Sequence, residues 1–250
     1  MNIAICYLTY QNSNTYFNYN NLLNQINNCK NHKIDLYVYN NDDSINYIDY
    51  NKLILFSYKY FKNKFDFNLN IYNNYSNTKN KSGLQILPFL DLYNNHKEYD
   101  VYMFYEDDVL LNIKYNFFDK LFDTYKDFDV ILQNYRKLDY EWSWYKTENN
   151  NIKNIYKPYS GLLNIYLMKN EIIQNFITDI IENKYIAHHE YLVNGYLIEN
   201  KNIKKYYLSD LFNVNCEIYL KNLKQNKSDE IIHPIKDIKY YNFYINNNYN

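Results

Sequence analysis

Glycine, proline and cysteine each occur only three times in 250 residues, and arginine once, at Arg136. Cys6, Cys29 and Cys216 are too few and too scattered for a disulfide framework or a zinc site, which points to a reducing, cytoplasmic setting. No stretch approaches the ~18 consecutive apolar residues of a transmembrane helix, so membrane contact is expected to be peripheral at most. The opening MNIAICYLTY lacks both a basic region and a long apolar core, and reads as a first strand, not a signal peptide. Neither sign of charge dominates. A formal charge of −1, with acids and bases interspersed, leaves no footprint for binding duplex nucleic acid.

What fills the chain is tyrosine, 34 of them, with runs of asparagine, lysine and isoleucine. Glycine, proline and arginine, which have GC-rich codons, are the scarce residues expected of an AT-rich genome. Asparagine runs such as residues 149–151 therefore carry little functional information, whereas the few glycines, prolines, alanines and the one arginine carry more. Many tyrosines fall on core periods, where they stand in for Phe and Leu, and this outweighs their use as stacking platforms for single strands. The length fits one α/β domain, or one with a small elaboration.

The chain is organised around residues 98–111, EYDVYMFYEDDVLL. An apolar and aromatic run over 101–105 predicts a strand covered on both faces, and it ends in Glu106, Asp107 and Asp108. Carboxylates at the carboxyl end of such a strand lie where open α/β sheets place their ligand crevice. Adjacent carboxylates repel one another and resist desolvation, so a divalent cation is a natural compensator. In extended backbone Glu106 and Asp108 share a face and approach one ion, while Asp107 points the other way. The same acids also fit a solvated turn or a helix cap. Periodicity predicts further strands over 2–9, 34–39, 53–57, 129–134 and 162–168. Helices are expected over 15–30, after Gly83, over 115–125, after residue 168 and within 181–197. Residues 58–80 show no clear period.

The apolar run, acidic triplet and second apolar run resemble the DXD segment of GT-A glycosyltransferases, nucleotide-sugar enzymes with a Rossmann-like half. The resemblance spans most of residues 1–237, with the triplet as its specific part. It implies an α/β fold with a Rossmann-like nucleotide-binding half and a mixed central sheet flanked by helices. One catalytic domain is expected over 1–250: a donor half over 1–111, an acceptor half over 112–237 and a tail over 238–250. It also implies Mn2+ or Mg2+ held by Glu106, Asp108 and His233, the last in the segment IIHPIK, where a structural histidine is the other reading. The donor is expected to be a nucleoside-diphosphate sugar, a UDP-sugar above others, and the acceptor a hydroxyl on a glycan, lipid or protein. Thr9, Tyr10 and Asn12 in the loop after the first strand, Asp42 and Asp43 after the second, Asp107, and Lys81 and Gly83 in KSG resemble donor contacts. Ser82 resembles a helix cap and Lys236 a diphosphate contact. The loop after the first strand is equally an ordinary turn.

On the acceptor side the resemblance points to Ser160 and Gly161 in PYSG, and to one of Trp142 and Trp144, whose other reading is core filling. Glu190, in HHE at a helix start, resembles the general base of inverting members, although Tyr191 stands where they carry a second acid. His188, His189 and Glu190 do not make a zinc site, because adjacent histidines do not share a helix face. Two rivals remain open. A nucleotidyltransferase would carry a Gly- and Arg-rich loop near its start, and residues 7–16 contain neither. A non-catalytic glycan-binding module would need no metal.

Overall fold

The computed structural model describes residues 1–9, 16–40, 53–55, 85–135, 137–142, 145–146, 153–183, 187–215 and 229–235, together with 239 and 242. The first half contains β1 (Asn2–Thr9), α1 (Tyr16–Asn27), β2 (Lys33–Asn40), β3 (Leu53–Leu55), α2 (Ile86–Asn95), β4 (Val101–Glu106) and β5 (Leu110–Asn112). Then come α3 (Phe117–Thr124), β6 (Val130–Leu132), β7 (Lys137–Leu138), β8 (Tyr159–Ser160), β9 (Ile165–Lys169), α4 (Asn170–Asn183) and α5 (His189–Glu199). The last elements are β10 (Lys205–Tyr207), a 3-10 turn (Leu208–Asp210), β11 (Asn213–Asn215) and β12 (Glu230–Ile232).

Among the described residues the main sheet has seven strands in the order β10-β6-β9-β4-β1-β2-β3. All are parallel except β9, which runs against both β4 and β6. This is a mixed α/β sheet with helices on its faces, as expected. Alternation along the strands divides the core in two. Ala4, Cys6, Leu8, Tyr102 and Phe104 pack towards α2, α4 and α5, while Ile3, Ile5, Tyr7, Val101, Met103 and Tyr105 pack towards α1 and α3. Tyrosine does fill the interior: Tyr7, Tyr19, Tyr39, Tyr102, Tyr105, Tyr166 and Tyr191 are among the largest fully buried side chains. No helix among the described residues is long and apolar enough to cross a membrane.

Boundaries differ from periodicity for local reasons. The helix expected over 115–125 starts at Phe117, because the Asn116 side chain accepts from the N–H groups of Phe118 and Asp119. The strand expected over 162–168 starts at Ile165, since the amides of Leu163 and Asn164 bond to the Glu190 and Gln133 side chains instead of a neighbouring strand. The stretch 181–197 divides between the end of α4 and α5. The strand expected over 53–57 is described over Leu53–Leu55. Gly195 in α5 shows why a glycine persists: an added Cβ would lie 2.5 Å from Cβ of Tyr156.

Candidate metal centre

Because β1, β2 and β4 are parallel and in register, with Leu8 opposite Glu106 and Thr9 opposite Asn40, their carboxyl ends line one edge of the sheet. Glu106 is the last residue of β4. The expected extended run through the triplet does not form: 107–108 turn, and the Val109 N–H donates back to the Glu106 carbonyl at 3.2 Å. The chain must change direction here because β5 belongs to a second sheet, ordered β11-β12-β5. Glu106 and Asp108 therefore face a common point through a turn, not through strand alternation. Asp107 is directed to the end of β1, where its N–H donates to the Leu8 carbonyl at 3.0 Å and its Oδ2 accepts from Thr9 Oγ1 at 2.8 Å.

The second sheet explains His233. β12 pairs antiparallel with β5, placing Ile232 opposite Leu110, so the residue after β12 arrives beside the residues that precede β5. His233 Nε2 lies 3.2 Å from Asp108 Oδ1 and 3.8 Å from Glu106 Oε2. One ligand atom from each of Glu106, Asp108 and His233 lies within 4.8 Å of the others. Both acids are buried, and the His233 side chain is 13% exposed. Ile235 closes the contact, its N–H donating to the Asp108 carbonyl at 2.7 Å.

Glu106 is oriented by two amides. Gln85 Nε2 donates to Oε1 at 2.8 Å, and Asn164 Nδ2 donates to Oε2. Gln85 sits at the N-cap of α2 without capping it, its side chain being directed to Glu106 instead. Asn164 is held in turn by its own N–H, which donates to Gln133 Oε1 at 2.9 Å. Burial raises the Glu106 carboxyl well above the usual range; Asp108 adds to the rise, the Asn164 hydrogen bond opposes it, and Glu190 and Asp107 contribute further. Crowded, buried like charge of this kind is what a divalent cation relieves. Two carboxylates and an imidazole form a mixed oxygen and nitrogen donor set that suits Mn2+ better than the oxygen-preferring Mg2+.

The other sequence-derived residues lie in different settings. Glu190 is buried at the start of α5, where its Oε1 accepts from the Leu163 N–H at 2.9 Å. Its Oε2 is 3.9 Å from His188 Nδ1, beyond hydrogen-bonding distance. Ser160 Oγ donates to the Lys137 carbonyl at 3.1 Å within the β7–β8 pair, and Gly161 has φ 151°, its carbonyl accepting from Asn194 Nδ2 at 3.2 Å. Trp142 is half-buried and packs against the core on the α2 and α5 face. Tyr10, Asn12, Asp42, Asp43, Lys81, Ser82, Gly83, Trp144 and Lys236 lie outside the described residues.

Sequence reasoning missed Gln85, Gln133, Asn164 and Asn18, all amides that hold the site. In an asparagine-rich chain an amide carries almost no signal. Asn164 alone offered one, as the polar residue within the apolar run LLNIYLM.

The sequence matches no protein-family model and no curated protein. Among solved structures it is similar to mouse xyloside xylosyltransferase 1 in its apo form, with a TM-score of 0.48 and 10% sequence identity, over 93% of this chain and 97% of that chain.

Proposed function

We propose that the chain is a metal-dependent glycosyltransferase of the GT-A kind, transferring a sugar from a nucleoside diphosphate to a hydroxyl acceptor. The observation that carries this reading is the convergence of Glu106, Asp108 and His233 at the carboxyl edge of a mixed α/β sheet. Glu106, Asp108 and His233 would hold Mn2+ or Mg2+, which would supply positive charge for a departing diphosphate. Asp108 Oδ1 and His233 Nε2 come within 3.2 Å of each other. Glu106 completes the set with its carboxylate fixed by Gln85 and Asn164. Thr9, joined to Asp107 at the end of β1, borders the donor position. Residues 1–111 form the donor half and 112–237 the acceptor half of one catalytic unit, which works in a reducing, cytoplasmic compartment.

Glu190 is assigned the acceptor's proton, which makes transfer an inversion. Its carboxylate is oriented by the Leu163 amide and lies near enough for its charge to reach Glu106. Glu190→Gln is expected to retain donor binding and to lose transfer by at least about 100-fold, read as kcat in a sugar-transfer assay. Near-normal turnover would remove Glu190 from the mechanism.

The test of the reading as a whole is a thermal-shift screen of nucleoside diphosphates with and without Mn2+. Stabilisation that requires both nucleotide and metal is the expected result. Stabilisation by free sugars alone, with no response to nucleotide, would favour the glycan-binding alternative.

A further inference from the structure

Asn18 lies on α1, fully buried, and joins two segments that are far apart in the chain. Its Nδ2 donates to the Asp107 carbonyl at 2.8 Å and to the Ile235 carbonyl at 3.0 Å. Both partners are carbonyl oxygens, so only the NH2 end of the amide satisfies them, and the orientation of the side chain follows. The Ile235 N–H in turn donates to the Asp108 carbonyl at 2.7 Å. Three hydrogen bonds thus stitch the acidic turn to the segment after β12. They flank the pair formed by Asp108 Oδ1 and His233 Nε2, 3.2 Å apart.

We propose that Asn18 is a positioning residue that holds His233 against the acidic turn and thereby sets the affinity of this site for a divalent cation. The inference rests on the metal reading given above. β12 and its pairing with β5 deliver the backbone to the right neighbourhood, but that pairing ends at Ile232. Beyond it, the His233 N–H donates to the Asn215 carbonyl at 2.9 Å, and the Asn18 amide fixes the segment from the other side. Residues outside the ligands that orient them commonly change metal affinity by about 10-fold to 100-fold.

A double-mutant cycle on the full chain tests this, with Mn2+ affinity measured by titration calorimetry and free Mn2+ by electron paramagnetic resonance. Asn18→Ala is expected to weaken Mn2+ binding about 10-fold, and His233→Ala at least as much. The double variant should bind no more weakly than His233→Ala alone, because Asn18 acts through the imidazole. A purely structural role would lower thermal stability without touching Mn2+ affinity. If Asn18→Ala does not fold, Asn18→Ser keeps one donor and should give a smaller loss that likewise vanishes in the His233→Ala background. Additive losses, or wild-type affinity in the single variant, would overturn the proposal while leaving the metal site standing. No Mn2+ binding by the unaltered chain would overturn both.

Discussion

Glu106 and Asp108 were legible as single residues because carboxylates crowded at a strand end carry their chemistry in their identity, whereas His233, one of five histidines, was picked out only through the GT-A resemblance. The amides around them were not. Asn18 and Gln85 are distinguished only by burial and partners, which the sequence does not reveal, and Asn164 alone stood out, as the polar residue within the apolar run LLNIYLM. Glycine gave the opposite case: scarce enough that each one invites a reason, and Gly195 has one in the close approach of Tyr156. Gly195→Ala should therefore destabilise the protein by about 1–3 kcal/mol in urea unfolding, since the clash is with Cβ and ring carbons near the backbone, not with a flexible tip. An unchanged midpoint would mean that Tyr156 moves aside freely.

At the scale of elements, strands covered on both faces announced themselves as apolar runs, and β1, β2 and β4 are where periodicity puts them, within a residue or so. What periodicity missed was decided by contacts distant in sequence. The acidic triplet turns because β5 joins another sheet, and β9 starts late because two amides bond to side chains from Glu190 and Gln133. The start of α5 supplies a pH prediction. Burial, and after it the adjacent His189, holds the His188 imidazole well below its usual 6.5. The fold thus keeps His188 neutral while the unfolded chain takes up a proton near 6.5, so this contribution to stability is complete above 6.5 and is lost as pH falls below it. Melting temperature should drop between about pH 7.5 and about pH 5.5, and His188→Gln should flatten that drop. Parallel curves for the two proteins would show that His188 does not drive it.

For the whole molecule, the class of fold followed from the chain's length, its buried strand ending in acids and the GT-A resemblance, but the order of strands did not. Nothing local places antiparallel β9 between β4 and β6, or brings β12 from near the end of the chain onto β5. Those two placements build the site: β9 follows Asn164 and β12 precedes His233. The proposed function requires a divalent cation held by Glu106, Asp108 and His233 to couple the protein to a nucleoside diphosphate. Its most direct test is calorimetric titration of UDP into the wild type with Mn2+, the wild type with EDTA, and Asp108→Asn with Mn2+. The account predicts saturable binding in the first case, loss of at least about 100-fold in the other two, and an unchanged circular dichroism spectrum for the variant. Equal UDP affinity in all three would contradict it and place nucleotide binding away from Glu106, Asp108 and His233.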